Sequence, residues 1–333
     1  MPAHSVPPRT ILLVKTSSLG DVVHNLPVVS DLRANFPNVA IDWVVEESFA
    51  EIPGLHPALR RVIPVALRRW RKTLLTAASW REMAAFRRDL QSQAYDLVLD
   101  TQGLIKSGLI VGQTRLTARG RRCGYAAEAA REPLAAKFYA AGFAIPRNLH
   151  AVERNRGLAA AACGYLPDLP LDYGIAALPL TAAWLPSVPY AVLLTATSRA
   201  DKQWPDEHWL KLANALAQQG LNCILPSGTA AERAQASRLV QGMSHAKLAP
   251  PLSIAELAGL FSGARLVIGL DTGLTHLAAA LGRPTVALFC ASDPQLTGVY
   301  AGESAASQVI NLGMQGATPA AEIVIAAAME RIG

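Results

Sequence analysis

The chain has 333 residues, 51% hydrophobic and 17% charged, which is long enough for two domains with separate cores and too apolar for a largely disordered protein. Its net charge of +6 is uneven: residues 1–165 hold 22 Lys+Arg against 13 Asp+Glu, and residues 166–333 hold 9 against 12. The basic half points to an anionic partner, on charge alone a nucleic acid, an anionic membrane surface or a phosphorylated or carboxylated substrate. The cysteines Cys123, Cys163, Cys223 and Cys290 form no C-x-x-C pair, which argues against a zinc site and fits a reducing compartment. The first ten residues carry three prolines and no apolar run, unlike a signal peptide, and no stretch approaches roughly 18 consecutive apolar residues. A soluble, cytoplasmic protein is the expectation.

In chain order, the pattern predicts strands at Ile11–Val14, Ile41–Val45, Arg61–Pro64 and Leu97–Leu99, and helices at Val22–Asn35, Trp80–Gln91 and Leu104–Gly112. Alanine-rich Ala126–Ala130 reads as helix filler. Five prolines between Leu166 and Pro189 mark a linker, so the domains are expected at 1–166 and 190–333, joined by 167–189. Alternation then restarts with strand Tyr190–Leu194, helix Asp206–Gln219, strand Asn222–Pro226 and helix Ala230–Gly242. Next come helix Ser253–Gly263, opened by a Ser253/Glu256 capping box, strand Arg265–Ile268, a helix through Leu277–Leu281 and strand Thr285–Phe289. A last helix, 319–332, is a candidate to pack back toward the N-terminal domain. Strands alternating with helices predict two α/β domains with mostly parallel sheets.

Two turns carry the chemistry. Gly269-Leu-Asp-Thr-Gly-Leu-Thr-His276 takes a strand into a helix, whose first N–H groups and positive dipole end make an anion site. Thr272 and Thr275 add hydroxyls, and Gly273 admits close approach. Lys15-Thr-Ser-Ser-Leu-Gly-Asp21 repeats the arrangement near the N-terminus. Asp21 by itself suits a first-turn helix acid, and the hydroxyls and lysine crowded onto the same turn shift the reading toward a general base acting on a substrate hydroxyl. After the strand at Tyr190, Thr197 and Ser198 offer hydroxyls, and Lys202 is either a phosphate-neutralising cation or a solvated loop lysine. Glu232 could accept from ribose hydroxyls or be an ordinary helix acid, and His276 could meet a diphosphate or only pack. Arg68, Arg69, Arg71 and Lys72 surround Trp70, with Lys106, Arg131 and Lys137 extending the basic surface. No RNA-binding signature accompanies them, so phosphate or carboxylate groups of one substrate suit them better than nucleic acid. Trp70 suits either a lipid interface or the interior. G-x-G-x-x-G and G-x-x-x-x-G-K-[ST] are both absent, which weakens dinucleotide and P-loop readings.

With Val14–Val22, Asp42–Glu47, Arg61–Lys72, Gln102–Ser107, Arg131–Ala135, His150–Arg154, Lys202–Pro205 and Asp271–His276 in order along the chain, the sequence resembles the lipopolysaccharide heptosyltransferases of glycosyltransferase family 9. The resemblance implies the GT-B fold, two facing Rossmann-like domains with a cleft between them. It implies inverting transfer of heptose from ADP-L-glycero-β-D-manno-heptose to the first Kdo of Kdo2-lipid A, with no cofactor and no required metal. A sister enzyme extending an existing heptose is the alternative, and a non-enzymatic basic module binding anionic lipid or nucleic acid is the reading from another class. By similarity Asp21 is the base; Thr197, Ser198, Lys202, Thr272, Gly273 and His276 surround the donor diphosphate; Glu232 meets the ribose and Asp271 the heptose. Lys15, Ser18, Gly20, Arg68, Arg69, Arg71, Lys72, Lys106 and Arg131 would then bind the acceptor. The implied protein is a monomer, peripheral on the cytoplasmic face of the inner membrane, without a nucleic-acid partner. Three departures stand out: Ser198 where threonine is usual, an alanine-rich stretch before Glu232, and no glycine before Asp293-Pro294.

Overall fold

A computed structural model describes residues 7–197, 199–302 and 307–333. The chain divides into two compact units, Met1–Gly174 and Ile175–Gly333, a boundary inside the proline-rich segment. No helix or strand is present between Cys163 and Tyr190.

The first unit is built on β1 (Thr10–Val14), β2 (Ala40–Glu46), β3 (Leu59–Val65), β4 (Ala94–Asp100), β5 (Arg115–Tyr125) and β6 (Ala141–Phe143), in the order β3-β2-β1-β4-β5-β6. Every pairing is parallel, with Leu12 beside Asp42 on one side and Val98 on the other. Parallel sheets are covered on both faces, and accordingly Ile11, Leu12, Leu13 and Val14 are all fully buried. The second unit repeats the plan with β7 (Tyr190–Leu194), β8 (Asn222–Leu225), β9 (Ala246–Leu248), β10 (Leu266–Leu270), β11 (Thr285–Leu288) and β12 (Val309–Leu312), in the order β12-β11-β10-β7-β8-β9. All five residues of β7 and of β10 are buried. In each unit the strand order reverses between the first and fourth strands, and ligands of such sheets bind outside the carboxyl ends of that pair.

Several sequence expectations are corrected. The helix expected over Val22–Asn35 is two helices, Leu19–Val23 and Leu26–Asn35. Pro27, which has no N–H to donate, sits in the first turn of the second and forces the restart at Asn25. Ala126–Ala130 is a turn, closed by the Ala129 and Ala130 amides on Ala126 O. β5 was hidden by its arginines, whose guanidiniums find carbonyl acceptors: Arg122 Nη2 donates to Thr114 O at 2.7 Å and Arg115 Nη1 to Gln91 O at 3.0 Å. Beside these corrections, the final helix, Ala321–Ile332, packs on β10, β11 and the helix Asp206–Gln218. Trp70 faces inward, edge-on to Phe86, with Nε1 donating to Glu82 at 2.8 Å.

Candidate functional site

At the first reversal point the turn leaving β1 is held by the turn leaving β4. Gln102 Oε1 accepts from the backbone N–H groups of Thr16 (3.0 Å) and Ser17 (3.1 Å). Lys15 points inward, its ammonium donating to Thr101 O at 2.7 Å and to Asn155 Oδ1 at 3.3 Å. Burial lowers its pKa, against the pull of Asp21 and Asp100. Asp100 is fully buried, which raises its pKa although Tyr139 OH (2.7 Å) and the Gln102 N–H (2.8 Å) donate to it.

Asp21 lies in the first turn of the helix Leu19–Val23, next to Gly20, and Ser18 caps that helix. Asp21 Oδ2 accepts from Ser18 N–H at 2.7 Å and Ser18 Oγ at 3.1 Å. The residue therefore has the helix-acid role, and its charge also acts on Lys15 and Lys106. Lys106 Nζ donates to Ser17 Oγ at 2.7 Å. Its pKa is lowered by burial, with Glu46, Arg68, Asp21 and Arg131 all close enough to act on it. The structure thus gathers Lys15, Ser18, Gly20, Asp21 and Lys106, with Arg68 and Arg131 within electrostatic reach.

The remaining basic residues divide. Arg68 is tied to Glu46 Oε1 through its backbone N–H (3.0 Å), and its guanidinium lies 4.9 Å from the Phe49 ring centroid. Arg69 is engaged by Glu47, in a two-point contact at 2.9 and 3.0 Å, and by Glu82 at 2.6 Å. Arg71 and Lys72 are exposed on the turn that follows.

At the second reversal point Asp271, the first residue beyond β10, is the hub. Lys202 Nζ and Ser292 Oγ each donate to its Oδ2 at 2.5 Å, and His276 Nε2 lies 3.6 Å from Oδ1. Burial by itself would raise the Asp271 pKa, but His276, Lys202 and Ser292 together hold the carboxyl well below the usual carboxylate range. Lys202 is placed by its neighbour two residues on: Trp204 is buried, crosses Trp209 edge-to-face at 4.8 Å, and donates Nε1–H to Pro319 O at 2.8 Å.

Thr272 is the N-cap of the helix Gly273–Ala280, whose first residue is Gly273. Thr275 belongs to the scaffold, donating its hydroxyl to Leu270 O at 2.6 Å. Thr197 is half-buried in the turn after β7, and Ser198 lies outside the described residues. Glu232 closes a capping box: Oε2 accepts from Gly228 and Thr229 N–H, both at 2.9 Å, at the carboxyl end of β8. The helix start, Thr272, Lys202 and His276 can together meet a diphosphate. Among the described residues no group of three or more His, Cys, Asp or Glu is placed to hold a metal ion.

Sequence reasoning passed over three residues that shape these turns: Gln102, Asn155 and Ser292. Gln102 and Ser292 follow strand ends, a placement that could have flagged them; Asn155 sits on the helix Ala151–Cys163 and reaches Lys15 only through the fold.

The family described as Glycosyltransferase family 9 (heptosyltransferase) matches residues 83–323. Lipopolysaccharide heptosyltransferase 1 of Escherichia coli (strain K12) is 46% identical over 291 residues, covering 87% of this chain and 90% of the relative. The solved structure of the E. coli heptosyltransferase WaaC with ADP has a TM-score of 0.87 and 40% identity, covering 97% of this chain and 99% of that one. WaaC with ADP-2-deoxy-2-fluoro heptose gives a TM-score of 0.82 at 39% identity, covering 95% and 97%.

Proposed function

We propose that this chain, which belongs to glycosyltransferase family 9, the heptosyltransferases, moves L-glycero-D-manno-heptose from ADP-heptose to the first Kdo of Kdo2-lipid A in lipopolysaccharide inner-core synthesis. The observation that carries this reading is the similarity to lipopolysaccharide heptosyltransferase 1 along most of both chains. Two polar turns at equivalent reversal points, one centred on Asp21 and one on Asp271, agree with it.

In this reading Asp21 takes the proton of the attacking Kdo hydroxyl. The freed oxygen bonds to the anomeric carbon from the face opposite the diphosphate, the bond to the diphosphate oxygen breaks, and ADP leaves with the electron pair. Inversion follows from that in-line path. Lys202, Thr197, Thr272, His276 and the helix start at Gly273 stabilise the departing charge, as fixed donors should. Ser198, beyond the described residues, would add a hydroxyl. Asp271 holds Lys202 and His276 in place and contacts the heptose, while Glu232 meets the ribose.

Lys106, Arg131, Arg68, Arg71 and Lys72 receive the acceptor's carboxylates and phosphates, with Ser18 and Gly20 shaping the turn. Lys15 and Arg69, each engaged with protein partners, set the positions of that turn and of Arg68. The protein acts as a monomer at the cytoplasmic face of the inner membrane. Among the described residues no helix is long and apolar enough to cross a membrane.

The test incubates purified protein with ADP-heptose and deacylated Kdo2-lipid A and follows product mass beside an Asp21→Ala control. One heptose added by the native chain, and a rate lower by about 10²–10⁴ in the variant, is expected for loss of a general base. Equal rates would move the base elsewhere. Transfer only to an acceptor that already carries heptose would assign the chain to the sister reaction.

A further inference from the structure

Between the helices Leu67–Trp70 and Ala77–Leu90 the usual polarity of a surface turn is reversed. Leu75 is 100% exposed, Trp80 62% and Leu74 48%. The hydroxyls beside them instead turn toward one another: Thr73 Oγ1 and Ser79 Oγ lie 2.7 Å apart, and Thr73 Oγ1 also donates to Arg69 O at 3.1 Å. Thr76 Oγ1 donates to Thr73 O at 3.0 Å and accepts from the Ser79 N–H at 3.2 Å, capping the second helix. Beneath them Trp70 and Ser79 are buried. Polar side chains are thus spent on holding the turn, and a turn held this way presents its two leucines outward. Exposed leucines occur singly on most surfaces; two beside a tryptophan on a pinned tip form a patch that calls for a partner.

Charge chooses among partners. Residues 66–88 contain seven Arg and Lys and a single acid, Glu82. Glu82 is already occupied by Arg69 and by the Trp70 indole. Arg71, Lys72 and Arg81 flank the apolar tip, and Arg87 and Arg88 continue along the same helix, all exposed. Leucine and tryptophan ringed by cations match the boundary between acyl chains and anionic headgroups, where indole rings settle and Lys and Arg meet phosphates. A protein partner would have to supply the same density of negative charge around an apolar pocket.

We infer that Leu74, Leu75 and Trp80 insert into the surface of an anionic phospholipid bilayer with Arg81, Arg87 and Arg88 on its phosphates, while Arg71 and Lys72 hold the phosphates of the acceptor embedded in the same surface. The inference rests on the peripheral-membrane reading above and deepens it by naming the surface. Arg68, at the base of the same turn, acts electrostatically on Lys106, which bonds to the Asp21 turn. A lipid-borne acceptor would accordingly meet the catalytic turn from the membrane into which the tip inserts.

The experiment sediments the full chain with phosphatidylglycerol-containing vesicles, with pure phosphatidylcholine vesicles, and with either type carrying the glycolipid acceptor. The native chain should bind the anionic vesicles without acceptor and release as salt is raised. L74S/L75S/W80S should weaken that binding by at least about tenfold, yet turn over the water-soluble deacylated acceptor at the native rate. Leu75→Ser alone, at the fully exposed tip, should give a smaller loss in the same direction and guards against a folding defect in the triple variant. Equal binding by native and variant chains to anionic vesicles would overturn the surface. Binding only when the acceptor is present, unaltered in the triple variant, would also overturn it while leaving the peripheral reading intact. A native chain that binds no vesicle would overturn both. Binding to inner-membrane vesicles but not to protein-free lipid, abolished by the triple variant, would assign the tip to a protein and overturn the lipid assignment.

Discussion

Lys202 and Asp271 illustrate how much depends on single side chains. Their contact is mostly shielded from solvent, so removing one partner strands the other. Lys202→Ala should raise the KM for ADP-heptose and, allowing for the residual exposure of both groups, cost about 1–3 kcal/mol of stability. A Lys202→Met/Asp271→Asn double variant should regain part of the stability and none of the donor affinity, and urea unfolding beside steady-state kinetics checks both. The acid limb of the stability profile follows from the same carboxylate. Folding lowers the Asp271 pKa below its ordinary value of 3.8. The unfolded chain therefore holds the proton more tightly, and the stabilisation is complete above that value and is lost as pH falls through the folded pKa. Unfolding free energies measured downward from pH 5 should fall less steeply in Asp271→Asn than in the native chain; parallel profiles would contradict this.

Elements place these side chains by close packing. Gly269 in β10 is a case where a methyl group has nowhere to go: a Cβ there would lie 2.4 Å from Thr275 Oγ1 and 2.9 Å from Leu194 Cβ. Gly269→Ala should cost about 1–3 kcal/mol, as overpacking does, and push the helix Gly273–Ala280 off its strand. Donor affinity should fall with it, since Thr272 and His276 travel on that helix. Trp204→Ala, by opening a cavity beneath the Lys202 loop, should cost about 3–5 kcal/mol. The capping box of the helix Ile254–Gly263 is formed as its sequence implies, Ser253 N–H donating to Glu256 Oε2 at 2.7 Å. Such a box is legible because it needs only residues three apart. β5 was not legible, because four of its eleven residues are arginines, and two of these find their acceptors well away in the chain, Arg115 on Gln91 O and Arg121 on Ala162 O.

At the scale of the molecule, the two units repeat one strand order with no recognisable sequence repeat, each around its own apolar sheet. If the nucleotide is held by the second unit, ADP at about 100 times its Kd should stabilise that unit by about 2.7 kcal/mol and leave the first unit's transition where it was. Calorimetry with and without ADP reads this directly; an equal shift of both transitions would count against separate donor binding.

The sequence by itself determined the alternation of apolar runs and amphipathic helices, hence two parallel α/β units, and the two polar strand-to-helix turns that carry Asp21 and Asp271. Those signals are local, being periodicity, caps and breakers within a dozen residues, and the ordered motifs added the family. Tertiary structure alone decided which side chains those turns recruit: Gln102 under the Asp21 turn, Asn155 on Lys15, Ser292 and Lys202 on Asp271. It also decided that Trp70 is interior while Leu74, Leu75 and Trp80 are not. The reason is physical: the pairing of a buried polar group, and the side of a turn that faces water, depend on neighbours brought close only by the packed chain.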